Sequence, residues 1–218
     1  MSRRRTLLGS QRGFTLAEML VVTAVLGVVF AGVLVGLQAG IASTRVGNGR
    51  AEAQSAARVG LDRIMRDIRS AGVNPTGNAF LAAGGACPCP VVSTALANQM
   101  VINSDLDADG IITAPAAAAC DPAADSEVVQ YTVAANTLMR SVRPAAAACG
   151  AAIIGGVQSV TFQYLDSAGN PVVGNAPASN MNIATVIVTL TVASEQMTGS
   201  QAGAMVVTMT DQARIRNR

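Results

Sequence analysis

The stretch Arg12-Gly13-Phe14-Thr15-Leu16-Ala17-Glu18 decides how this chain is read, because an almost wholly apolar run follows it through residue 42. Four arginines, Arg3, Arg4, Arg5 and Arg12, precede Gly13, and the next basic residue is Arg45. Between Arg12 and Arg45 the only ionisable side chain is Glu18. About 20 apolar residues are enough to cross the hydrocarbon core of a bilayer, so residues 14–42 are expected to form a transmembrane helix. A carboxylate inside such a helix is costly unless it is paired, which makes Glu18 a functional candidate. The basic block marks the cytoplasmic side by the positive-inside rule. The segment before the apolar run is too short and too polar for an ordinary secretory signal with a small-x-small cleavage site.

Working outward from the junction, the pattern changes near residue 50. Ala57, Leu61, Ile64 and Ile68 are spaced as one face of a helix. Arg58–Asp62, Asp62–Arg66 and Arg63–Asp67 stand at i,i+4 on the opposite side, which is expected to be solvated or packed on neighbouring molecules. Gly47-Asn48-Gly49 is expected to weaken the helix between its two halves, and Gly72 followed by Pro75 to stop it. A continuous helix over 14–71 would measure about 87 Å at the α-helical rise. Gly32, Gly36 and Gly40 share one face, either for close helix packing or as glycines tolerated in a membrane segment.

Residues 73–126 are rich in Gly, Ala, Pro and Asn and read as a loop-rich, variable region. Beyond them the period becomes two. Val128–Val133 and Thr137–Val142 read as a hairpin turning at Ala134-Ala135-Asn136, and Val160–Leu165, Ile183–Val192 and Ala204–Thr210 as further strands. Val186, Val188, Leu190 and Val192 fall on one face. The expected fold class is α+β: a long N-terminal helix, transmembrane in its first half, packed by its second half on a C-terminal antiparallel β-sheet over 127–218.

Gly13-Phe14-Thr15-Leu16-Ala17-Glu18 resembles the prepilin junction of type IV pilins and type II secretion pseudopilins. The resemblance implies a leader over 1–13, cleavage by a prepilin peptidase after Gly13 and N-methylation of Phe14. It implies a transmembrane half over 14–42 and an amphipathic half over 43–72. It makes Glu18, fifth in the mature chain, the assembly residue that meets the N-terminal amine of a neighbouring subunit. Leu61-Asp62-Arg63-Ile64-Met65-Arg66-Asp67-Ile68-Arg69-Ser70-Ala71-Gly72 is similar to the helix end of PilW-like minor pilins and GspJ-like minor pseudopilins. Unlike many major pilins, the chain has no proline before Pro75. The function implied is that of a minor pilin, with a minor pseudopilin of type II secretion as the alternative. The implied partners are other pilins or pseudopilins, the prepilin peptidase and the inner membrane. The C-terminal domain is expected outside the cytoplasm and then in the pilus or pseudopilus.

Composition narrows the rivals. Removing the four leader arginines from 15 basic residues leaves 11 against 13 acids, so the positive net charge gives no case for nucleic-acid binding. There is no histidine, which excludes a Ser-His-Asp triad and a His-Glu-x-x-His zinc site. We therefore expect no enzyme, against the rival of a membrane-anchored exported enzyme; a third rival is an adhesin displayed on a pilus through 73–126. The cysteines are Cys87, Cys89, Cys120 and Cys149. In an oxidising envelope they are expected as disulfides, with Cys120–Cys149 as the candidate pair, while Cys87-x-Cys89 has the wrong spacing for a zinc knuckle. Asp105-Leu106-Asp107-Ala108-Asp109-Gly110 places three acids at alternate positions before a glycine. That pattern suits calcium, although Ala116 stands where an EF-hand has its bidentate glutamate. Glu127 is the candidate substitute, and a solvated acidic turn is the other reading.

Overall fold

The computed structural model describes residues 13–75, 81–82, 89–113, 126–142, 150–173, 175–194 and 205–216. The chain forms two compact units, Met1–Arg45 and Val46–Arg218. The described part of the first is helical from Leu16, the start of α1 (Leu16–Ser70). It is apolar and long enough to cross a membrane, and none of its most apolar stretch is buried within the chain. Two of its hydroxyls are satisfied locally. Thr23 Oγ1 donates to the carbonyls of Met19 and Leu20, both at 3.0 Å, and Thr44 Oγ1 to that of Gly40 at 3.0 Å. A hydroxyl that bonds its own helix presents little unpaired polarity to lipid.

In the second unit the C-terminal half of α1 lies on two antiparallel sheets. One has the order β2-β3-β5-β6-β7 and the other β10-β9-β8. The strands are β2 (Val92–Ala95), β3 (Gln99–Asn103), β5 (Val128–Ala134), β6 (Thr137–Ser141), β7 (Gly150–Ile154), β8 (Val157–Leu165), β9 (Thr185–Ala193) and β10 (Val206–Arg214). A short parallel ladder joins β1 (Leu81–Ala82) to β4 (Ile111–Ile112), and α2 (Pro177–Asn180) is a single turn. The α+β class holds, with the long helix on antiparallel strands. The sheet expected from residue 127 onward is two sheets, and the larger recruits β2 and β3 from the region expected to be loop-rich. The β5–β6 hairpin turns at Ala135 and Asn136, both left-handed with φ 47° and 58°. Two such residues in succession make the turn whose twist matches that of paired strands.

The expected helix face is the buried one. Ala57, Leu61, Ile64 and Ile68 are joined in the core by Gly49, Ala53, Gly60 and Met65. Val186, Val188, Leu190 and Val192 of β9 are buried against them, in step with the period of two. Gly60 permits the closest approach. A Cβ there would stand 2.8 Å from Ile154 Cδ1, 3.1 Å from Leu190 Cδ2 and 3.3 Å from Leu138 Cδ2. Those atoms belong to β7, β9 and β6, so both sheets meet the helix at one residue. Gly49 acts in the same way, since its Cβ would lie 2.9 Å from Ser194 Oγ. α1 runs unbroken through Gly47-Asn48-Gly49, where a weak point is expected, and Gly49 also serves packing. The helix ends as expected. Gly72 is left-handed at φ 75°, and its N–H turns away to donate to Asn103 O at 2.9 Å.

The polar side of this half-helix also departs from expectation at Asp67. Asp67 Oδ2 accepts from Tyr131 Oη at 2.7 Å and from Arg140 Nε at 2.8 Å, while Arg63 Nε stands 3.5 Å from Oδ1. Asp67 thus ties α1 to β5 and β6 in a largely buried cluster and is not a solvated member of a helix pair. Burial first, then the Asp67 charge and hydrogen bond, push the Tyr131 hydroxyl above its ordinary value of 10.0, and burial alone does so for Tyr164. Tyr164 Oη donates to Leu96 O at 2.9 Å, joining the smaller sheet to the β2–β3 connection.

Two outcomes follow for the full chain in detergent. Asp67→Ala removes the carboxylate that accepts from both Tyr131 and Arg140 and should cost about 3–5 kcal/mol, at roughly 1.5–3 kcal/mol for each charged hydrogen bond. Tyr131→Phe loses one hydrogen bond and should cost about 1–2 kcal/mol; equal losses in chemical denaturation would contradict the buried cluster. Because the fold favours the protonated phenols, their stabilisation is complete below the ordinary value of 10.0 and is lost as pH rises above it. The melting temperature should fall steeply above that pH, and less steeply in Tyr131→Phe.

Candidate functional site

At the junction, Gly13 and Phe14 precede the helix and Phe14 is 77% exposed. A Cβ on Gly13 would meet nothing within 4 Å. Outside the helix and open, this peptide suits access by a protease. Thr15 is the residue on which α1 begins. Thr15 N–H donates to Glu18 Oε2 at 3.0 Å, Thr15 Oγ1 donates to the same oxygen at 3.1 Å, and Glu18 N–H donates to Thr15 Oγ1 at 3.3 Å. This is a reciprocal capping box, in which each residue satisfies an amide that the first helical turn would leave without a partner.

The cap gives Glu18 a local role beside the one expected from its charge. Oε2 faces Thr15, which leaves Oε1 for a donor from another molecule. The carboxylate also sits at the positive end of the helix dipole, where negative charge is favoured. The signal was present in the sequence as Thr15-x-x-Glu18, and the membrane reading of Glu18 hid it. Gly27, Gly32, Gly36 and Gly40 have open space where a Cβ would project. Among the described residues, nothing lies within 4 Å of those positions.

The structure brings Asp105, Asp107 and Asp109 together with Glu127, with one carboxylate oxygen of each within 4.8 Å of the others. Asp105 and Glu127 are buried, while Asp107 and Asp109 are exposed. Left-handed Ala108 (φ 65°) and Gly110 (φ 77°) curl the loop. Asp105 Oδ2 accepts from Gly110 N–H at 3.1 Å, Asp107 Oδ1 from Asp109 N–H at 3.1 Å and Asp109 Oδ1 from Ile111 N–H at 2.7 Å. Glu127 closes the loop from the start of β5. Its Oε1 accepts from Leu106 N–H at 3.2 Å, and its Oε2 from Thr113 N–H and Oγ1, both at 2.8 Å. The leader arginines, Cys87, Cys120 and Cys149 lie outside the described residues, and with them the expected Cys120–Cys149 disulfide. Cys89 is partly buried.

Removing the cap should loosen only the first turn. Thr15→Ala should cost about 1 kcal/mol locally, read as roughly fivefold faster amide exchange over residues 15–19 in micelles. Thr15→Ser should exchange as the parent does. Unchanged exchange in Thr15→Ala would show that the cap contributes nothing.

A family model described as the prokaryotic N-terminal methylation motif matches residues 8–34, which span the junction, Glu18 and the first turns of α1. No curated protein matches the chain. The matched motif implies processing by a prepilin peptidase and assembly with other pilins. Residues 8–34 thus carry the N-terminal methylation signal of type IV pilins and pseudopilins, joined to a long helix that lies on antiparallel sheets.

Proposed function

We propose that the chain is a minor pilin, a structural and assembly subunit of a type IV pilus and not an enzyme. The observation that carries this reading is Glu18, the one ionisable group between Arg12 and Arg45, at the fifth position after Gly13 on an exposed apolar helix. The resemblance of Leu61–Gly72 to the helix end of minor members supports the minor class. The same segment is similar to GspJ-like minor pseudopilins, so a minor pseudopilin of type II secretion is the second reading.

In the proposed sequence of events the chain is held in the inner membrane, with the arginine-rich leader in the cytoplasm and the C-terminal unit outside it. Cleavage after Gly13 frees the Phe14 amine, which is then methylated. On assembly the amine of one subunit meets Glu18 of its neighbour. Opposite charges attract strongly where water is excluded, and the capped geometry leaves Oε1 to receive the amine. Because Oε2 is already held by Thr15, the carboxylate is oriented before its partner arrives. Close packing along Gly32, Gly36 and Gly40 would then bring neighbouring backbones together.

Two measurements test this. Mass spectrometry of the protein from cells with an active prepilin peptidase should show Phe14 at the N-terminus carrying one added methyl. An intact N-terminus would overturn the assignment. Glu18→Gln should insert and be cleaved normally, because the amide keeps the shape and lies beyond the cut. It should be depleted from sheared filaments, since losing one member of a buried charge pair costs about 3–5 kcal/mol. Equal recovery of variant and parent would remove the assembly role given to Glu18.

A further inference from the structure

We propose that Asp105, Asp107, Asp109 and Glu127 form a calcium site that fastens the end of α1 to the larger sheet. The proposal is independent of the filament reading. It rests on two observations. The first is the convergence of four carboxylates within 4.8 Å. The second is Asp105, which is 0% exposed and whose Oδ1 has no hydrogen-bond partner. A buried carboxylate oxygen without a donor is costly, and a cation bound among these acids removes that cost.

The remaining acceptors suit a hard cation. The amide bonds within the loop use Asp105 Oδ2, Asp107 Oδ1 and Asp109 Oδ1. Each aspartate therefore has its second oxygen to offer. Both Glu127 oxygens accept N–H or O–H donors, but a carboxylate oxygen has more than one lone pair and can bind a metal as well. Glu127, just before β5, supplies the carboxylate that the loop itself lacks at Ala116. All-oxygen, carboxylate-rich ligation in a flexible loop, completed by water, favours calcium. Magnesium demands a tighter octahedron and gives up its water reluctantly.

The site's neighbours show what such an ion would hold. Asp105 N–H donates to Val73 O at 2.8 Å, just past the end of α1, and Ser104 N–H donates to Glu127 O at 2.8 Å. Ser104 Oγ reaches Ser70 O at 3.4 Å. The loop thus lies where the last turn of α1, the exit of β3 and the start of β5 come together.

The test uses the full chain in detergent, stripped with chelator and titrated with Ca2+ alone by calorimetry. One ion per chain should bind, with a Kd of about 10⁻³ M or tighter, as in extracellular calcium modules. The melting temperature should rise with added Ca2+, because the ion binds only the folded loop. Asp107→Asn with Asp109→Asn keeps both amide-accepting oxygens while removing two charges. This double variant should melt as the parent does in chelator yet bind Ca2+ at least about tenfold more weakly. No heat and no melting shift in the parent at millimolar Ca2+ would overturn the site. So would a double variant that binds as tightly as the parent. Equal binding of Mg2+ would overturn the choice of calcium.

Discussion

The folded unit depends on one close approach. At Gly60 the helix comes near enough to touch side-chain ends from β6, β7 and β9 together, so a single backbone position meets both sheets. Interiors are packed to near-crystalline density, and a helix can approach only as closely as its facing side chains permit. Gly49, Ala53, Ala57 and Gly60 are small, whereas Leu61, Ile64, Met65 and Ile68 are large. The stripe therefore changes from backbone contact to side-chain contact along its length. The small residues accept the ends of the sheet side chains, and the large ones fill the space beyond Gly60.

Beyond that contact the helix is tied down by polarity. Asp67 receives the Tyr131 hydroxyl and the Arg140 guanidinium, so β5 and β6 each offer one donor to the same oxygen. Such a cluster sets where the helix lies along the strands, because an apolar stripe alone tolerates sliding and a charged hydrogen bond does not. A few residues on, Gly72 turns its amide to Asn103. Here the helix ends beside the exit of β3, where the acidic loop begins.

What the sequence disclosed depended on how far each signal reached. β9 was legible because one face is buried and the other is not, which yields strict alternation. β3 was not, since Met100, Val101, Ile102 and Asn103 are all buried and no alternation exists to be seen. β7 reads Gly-Ala-Ala-Ile-Ile, and alanine marks no face. Gly13, Phe14 and Glu18 stood out because a lone acid in an apolar helix has no ordinary explanation. Asp67 did not, because its partners come from strands more than sixty residues away. Gly49 looked like a defect because its reason, Ser194, lies in another part of the chain. In the acidic loop the three aspartates were legible from their spacing and Glu127 was a candidate at a distance, which the fold brings to them.

The strand order carries a kinetic consequence. In both sheets each strand pairs with one near it in sequence, and β5–β6 closes through a two-residue turn. Short closures cost little chain entropy, so each sheet can form early and locally. Docking of α1 on β9 joins residues from opposite ends of the unit and is the expensive closure. The helix would then commit last, onto sheets already made, and until it does its apolar stripe remains uncovered. In that order of events Arg58, Asp62, Arg66 and Arg69, all exposed, would keep the other side of the helix hydrated.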